Sequence, residues 1–178
     1  MSQLIMKALR QDSCAVIEAG TGTGKTMGYL VPVILSGRKT VISTGTKNLQ
    51  EQIFFQDVPL ISEILGIRLN IILMKGRKNY ICLYRYTQHF IQPSLLATSG
   101  KDARDRIDKW LRNTESGDRA ELDWLADDDP LWDSISSTSD QCLGMKCPHM
   151  KDCFLNELRR KAAKADIIIV NHHLFFAD

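Results

Sequence analysis

The chain has 178 residues, 44% of them apolar, and a formal net charge of +2. That is one domain of ordinary size with room for a small insert, apolar enough for a packed core and unlike a disordered chain. No apolar stretch is long enough to span a membrane and no secretory leader is read at the start, so a cytoplasmic protein without a membrane partner is expected; the odd count of five cysteines argues against a disulfide framework.

In chain order, residues 4–9 carry helical periodicity. The stretch CAVIEAG (14–20) reads as a short buried strand, with Cys14 a small buried hydrophobe. The turn TGTGKT leads into an apolar helix over 27–35, which Pro32 is expected to kink. KTVIST (39–44) reads as a second strand, 48–65 as a helix that Pro59 breaks in two, and RLNIILMKG (68–76) as a third strand. Strands alternating with helices predict an α/β fold with a parallel sheet. After Gly76 the rhythm changes. Residues 81–97 read as an aromatic-rich helix despite Pro93, and 101–118 as a charged amphipathic helix with Ile107 and Leu111 on one face. An acidic stretch over 121–135 is anchored by Trp124 and Trp132, 151–164 reads as a helix with a basic face, and ADIIIV (165–170) returns to the sheet. The expected organisation is a first part of the sheet domain over 1–77, a mostly helical insertion over 78–161, and the return over 162–178. Neither end reads as a natural domain boundary, and a fragment is expected.

Charge is distributed unevenly. Residues 67–100 hold basic side chains and no acidic ones, 101–133 hold eleven acidic against six basic, and 143–164 turn basic again at six to two. A local basic surface suits phosphates even in a chain that is near neutral as a whole.

AGTGTGKT, Ala19 to Thr26, fits the Walker A pattern except that alanine replaces the first glycine. Gly20, Gly22 and Gly24 leave room for backbone N–H groups to turn toward phosphate oxygens, and Thr21 and Thr23 complete the loop. The helix that follows points its positive end at the same oxygens. Lys25 neutralises β/γ-phosphate charge and Thr26 offers a hydroxyl to Mg²⁺, which assigns ATP and Mg²⁺ as ligands. The competing reading is a glycine-rich turn with an incidental lysine. No second half of an ATPase site accompanies the loop. Glu18 precedes it, Asp166 begins a strand where a metal-holding acid follows one, and Asp178 lies too far beyond its strand, so ATP turnover by this chain alone is not expected.

Cys142, Cys147 and Cys153 are separated by four and five residues. Zinc sites favour a tighter pair. A four-thiolate iron–sulfur cluster accepts looser loops, with Cys82, about sixty residues upstream, as the fourth ligand. Such a cluster would supply folding energy to an insertion too small for a good core. Zinc held by four cysteines, or by three with His149, is the alternative; ordinary reduced cysteines are the bland one.

STGTKNLQEQ (43–52) follows a strand, and its hydroxyls and amides suit a nucleic-acid backbone, while Thr46 equally suits a plain helix cap. Arg77, Lys78 and Tyr80 combine charge with an aromatic ring, which fits single-stranded nucleic acid or a charged face beside a core tyrosine. His172 and His173 follow a strand, as site residues or as turn residues. Trp110, Trp124 and Trp132 read as core anchors.

Together VIEAGTGTGKTMGYLVP, VISTGTKNLQEQ, LMKGRKNYICL, DQCLGMKCPHMKDCF and DIIIVNHHLFFAD resemble, in that order, the bacterial branch of the DinG/XPD-type family of iron–sulfur DNA helicases. The likeness covers essentially the whole chain. It implies a RecA-like P-loop motor domain, incomplete here, with a mostly helical [4Fe–4S] insertion. It further implies ATP-driven 5′-to-3′ unwinding, single-stranded DNA as partner and a repair role near the nucleoid, with replication or repair proteins as contacts. By the same likeness Lys25 and Thr26 take the phosphate and Mg²⁺ roles. Ser43, Thr44, Thr46 and Gln52 lie in the block that touches the DNA backbone, to which Arg77 and Lys78 are added, and Cys82, Cys142, Cys147 and Cys153 match the cluster ligands. Gln3 is the remnant of an adenine-recognising motif whose arginine is missing. The family's DEAH box and second RecA-like domain lie beyond this sequence, so the chain is expected to bind nucleotide and a cluster without unwinding. A zinc-stabilised nucleic-acid-binding module with a nucleotide-binding loop is the rival, and a P-loop kinase or transport ATPase a third reading.

Overall fold

The computed structural model describes residues 1–91, 100–126 and 128–177. In chain order its elements are α1 (Ser2–Gln11), α2 (Lys25–Ser36), β1 (Thr40–Thr44), α3 (Lys47–Gln52), a π-helical turn (Ile53–Asp57), α4 (Val58–Leu65), β2 (Ile71–Leu73), α5 (Leu83–Ile91), α6 (Gly100–Leu111), α7 (Pro130–Ile135), α8 (Phe154–Ala162), β3 (Ile167–Asn171) and α9 (His172–Phe175). The chain divides into two compact units, Met1–Lys75 with Lys161–Asp178, and Gly76–Arg160.

The first unit is built on a parallel sheet of order β1-β3-β2. Thr40 to Thr44 pair in register with Ile167 to Asn171, and Ile71 to Leu73 with Ile167 to Ile169. The last strand in sequence is therefore the middle strand in space, as a run of three isoleucines and a valine would demand of a strand covered on both faces. Ile167 and Ile169 pack with Ile42, with Leu30 and Ile34 of α2, and with Ile53, Val58 and Ile61 from the long helical stretch.

Two expectations are corrected here. The segment 14–20 is not a strand: Val16 is 97% exposed and Cys14 is exposed rather than a buried hydrophobe. An apolar run becomes a strand only when a neighbour takes its backbone N–H and C=O groups, and none of the three strands does so. Pro32 lies inside α2, which is assigned as one helix from Lys25 to Ser36. The carbonyl that its missing N–H would leave open, that of Gly28, accepts the hydroxyl of Ser2 at 2.9 Å, so α1 repairs the gap in α2. As expected, the 48–65 stretch falls into two α-helices, α3 and α4, and Pro59 stands in the first turn of the second. The π-helical turn between them, where Val58 N–H reaches back to the Ile53 carbonyl, takes up the irregularity.

In the second unit, Ile81, Tyr86, Ile107, Leu122, Leu125, Trp132 and Ile135 form the core, with Trp110 and Trp124 packed against it. The tryptophans anchor this core as expected. Helix α6 stops at Leu111, short of the expected end at 118; Asp118 instead caps a single 3₁₀ turn through the Ala120 N–H at 2.9 Å. Helix α8 begins at Phe154 rather than 151. Of the expected helix over 81–97, α5 accounts for residues to Ile91 and the remainder lies outside the described residues. Two isolated antiparallel bridges, Tyr80 with Asp118 and Ile81 with Ser136, draw the start, middle and later part of this unit together. Among the described residues no helix is long and apolar enough to cross a membrane.

Candidate functional site

The glycine loop enters α2 with Gly22 at φ 74° and Gly24 at φ 72°. These left-handed angles are open to glycine and strained for any residue with a Cβ. Gly24 caps α2, so the free N–H groups of the helix start sit at the loop, with Lys25 and Thr26 in the first turn. The Lys25 ammonium folds back over the loop and donates to the carbonyls of Ala19, at 3.0 Å, and Gly20. Thr23 also donates to the Gly20 carbonyl, at 2.8 Å. The cation is thus held beside the loop by two weak neutral acceptors that a phosphate oxygen outcompetes. Burial pushes the Tyr29 hydroxyl pKa up; the Thr26 hydroxyl pulls it the other way, and the Asp57 charge adds to the rise. Asp166 lies at the opposite, N-terminal end of β3, where its carboxylate accepts the Asn70 N–H at 2.8 Å.

The C-terminal edge of the sheet gathers the 43–52 block. Ser43 Oγ lies 2.8 Å from His172 Nδ1. Thr44 is only 4% exposed and its hydroxyl donates to the Thr46 carbonyl at 3.0 Å, so it is spent inside the turn. Thr46 accepts the Leu49 N–H at 3.2 Å and caps α3. Gln52 is exposed and donates to Asp57 at 3.3 Å. Two residues of this block were not singled out by their sequence. Gln50, fully buried, donates to the carbonyls of Met74 and Ile169, at 2.7 and 3.2 Å, and ties the exit of β2 and the middle of β3 to α3. Glu51 pairs with Lys75 at 3.1 Å. No local pattern announces either role, because the partners, Met74, Ile169 and Lys75, are far away in sequence.

In the second unit, Cys82, Cys142, Cys147 and Cys153 all line one cavity of about 120 Å³, together with Arg77, His149 and Arg159. All four thiols are free and partly exposed. Backbone pairing explains how distant residues meet. The Ile81 N–H donates to the Gly117 carbonyl at 3.0 Å and the Cys82 N–H to the Ile135 carbonyl at 2.9 Å, which holds Cys82 beside the segment leading to Cys142. Cys82 immediately precedes α5, and the N–H groups of Tyr84 and Arg85 turn toward its sulfur. Burial raises the Cys82 thiol pKa, those two N–H groups lower it, and the charges of Cys147 and Cys153 raise it again. Gly144 N–H donates to Cys142 Sγ at 3.4 Å. Among the described residues no three His, Cys, Asp or Glu side chains converge tightly enough to hold a single ion. Thiolates around one zinc stand about 3.8 Å apart, from Zn–S bonds of ~2.3 Å in a tetrahedron. Cys82, Cys142, Cys147 and Cys153 share one cavity wall without gathering tightly around a single point. Lys78 is exposed, and its carbonyl accepts Trp132 Nε1 at 2.7 Å; Tyr80 is 4% exposed and is a core residue.

Residues 2–116 match the DEAD/DEAH box helicase family. The chain belongs to that family. The small parallel sheet with its helices is consistent with the RecA-like α/β fold of a DEAD/DEAH helicase domain. Across its full length the chain is 46% identical to the ATP-dependent DNA helicase YoaA of Haemophilus influenzae. It is also 32% identical to the ATP-dependent helicase DinG of Mycobacterium tuberculosis and 30% identical to the 3′-5′ exonuclease DinG of Bacillus subtilis. It spans 28%, 30% and 19% of those three proteins' lengths.

Proposed function

We propose that this chain is the nucleotide-binding part of the motor of an ATP-dependent DNA helicase, and that a [4Fe–4S] cluster closes its second unit. The observation that carries the reading is the pairing, in one chain, of a left-handed glycine loop at a helix start with four thiols around one cavity. The first suits the β/γ-phosphates of ATP with Mg²⁺, Lys25 supplying charge and Thr26 a metal-facing hydroxyl. The names of the YoaA and DinG relatives support the helicase assignment.

Cys82, Cys142, Cys147 and Cys153 are the ligands in this reading. A bound cluster supplies four metal–thiolate bonds that hold together segments far apart in sequence. Arg77 and Arg159, lining the same cavity, offset the negative charge of four thiolates. Ser43, Thr46 and Gln52 face the DNA backbone at the sheet edge, and Arg77 and Lys78 add basic contacts; Thr44 supports the turn from inside. The whole protein unwinds DNA with 5′-to-3′ polarity in repair, in the cytoplasm at the nucleoid, beside replication or repair proteins. A second RecA-like domain completes the ATP site, so the 178-residue chain binds nucleotide and cluster but neither hydrolyses ATP nor unwinds.

Purification without oxygen tests the cofactor assignment. Brown protein with about four irons per chain supports it. A colourless protein with one tightly held zinc overturns it, and favours a zinc-stabilised nucleic-acid-binding module in which His149, on the same cavity wall, completes the ligand set.

A further inference from the structure

Ser43 and His172 are 129 residues apart in sequence, yet their side chains meet at 2.8 Å at the C-terminal edge of the sheet. Strand register brings them there, since Thr44 pairs with Asn171 and the chain leaves both strands at the same level. Both side chains are held. The Thr44 and Thr46 hydroxyls brace the loop after Ser43. Asn171 accepts the Leu174 N–H at 2.7 Å, and the Phe176 ring leans on the imidazole with centroids 6.4 Å apart. A Cβ on Gly45 would stand 3.8 Å from the ring, so the loop backs the imidazole closely. His172 is exposed and Ser43 half-buried, so both can be reached from outside.

A serine hydroxyl has one proton to give. If it is given to His172 Nδ1, only lone pairs face an approaching anion. If Nδ1 carries a hydrogen and donates to Oγ, the serine proton is free for a phosphate oxygen. An anion at Ser43 therefore selects the Nδ1-protonated imidazole and is bound through a two-link chain.

We propose that Ser43 and His172 act as one backbone-phosphate contact for single-stranded DNA, with Ser43 touching the phosphate and His172 positioning and polarising its hydroxyl. This rests on the reading that the 43–52 block meets DNA.

The test is fluorescence anisotropy of a labelled oligothymidylate titrated with the 178-residue chain. Ser43→Ala and His172→Ala should each weaken binding roughly tenfold, the value of one charge-assisted hydrogen bond. The double variant should be no weaker than the worse single one. His172→Asn, whose amide N–H can replace Nδ1–H, should bind within about threefold of wild type, a rescue that mere loss of packing does not predict. If alanine at 172 unfolds the chain by circular dichroism, Ser43→Ala with His172→Asn carries the comparison. Binding by His172→Ala equal to wild type, or losses that multiply in the double variant, would overturn the proposal and leave the DNA reading standing. No binding by the wild-type chain would overturn both.

Discussion

The ring of Phe154 lies 2.5 Å from the point where a Cβ on Gly117 would stand, and Gly117 has φ of 64°. Glycine is required there twice over, by backbone angle and by space. The contact also matters for the candidate cluster site. Gly117 accepts the N–H of Ile81, the neighbour of Cys82, and Phe154 follows Cys153, so one close approach helps to fix both ends of the cysteine set.

Gly117→Ala is therefore expected to destabilise the second unit by about 1–3 kcal/mol, the usual cost of overpacking combined with a strained φ. All three tryptophans, Trp110, Trp124 and Trp132, belong to this unit, so urea unfolding followed by their fluorescence reads it alone. An unchanged midpoint would contradict the geometry.

Lys25→Ala should abolish detectable binding of a fluorescent ATP analogue while leaving the fold intact. The partners that the ammonium gives up are two neutral loop carbonyls, one exposed and one half-buried, so little folding energy is lost with it. Nucleotide affinity within about threefold of wild type would remove Lys25 from the phosphate role.

Cys147→Ser is expected to lose iron and the broad visible absorption of an iron–sulfur protein, and to loosen the second unit, because the three remaining thiols no longer close the cavity. Binding of the ATP analogue should persist, since the glycine loop lies in the other unit. Iron content equal to wild type would show that Cys147 is not a ligand.

Ser2→Ala should cost about 0.5–1.5 kcal/mol, one hydrogen bond, by leaving the Gly28 carbonyl unpaired opposite Pro32. Hydrogen exchange should show faster opening in the first half of α2. Protection unchanged there would mean that water serves the carbonyl as well as Ser2 does.

Much of this molecule is written in short-range chemistry. The glycine turn, the start of α2, the helical character of 48–65 and the apolar run that becomes β3 each depend on residues a few positions apart, so spacing and residue type suffice to read them. The DEAD/DEAH family likeness is legible for the same reason, because its blocks are contiguous. Other features depend on who stands next to whom. The apolar stretch 14–20 has strand composition but pairs with no strand among the described residues, and Cys14 and Val16 lie exposed. The Gly28 carbonyl, opposite Pro32, finds its donor in Ser2 of another helix. Thr44 has the composition of a surface contact and a buried position, and the meeting of Ser43 with His172 leaves no mark on either segment. Local order needs only local geometry, so the sequence alone determined it; hydrogen-bond partners, burial and the gathering of four cysteines around one cavity are long-range quantities, which only the folded chain decided.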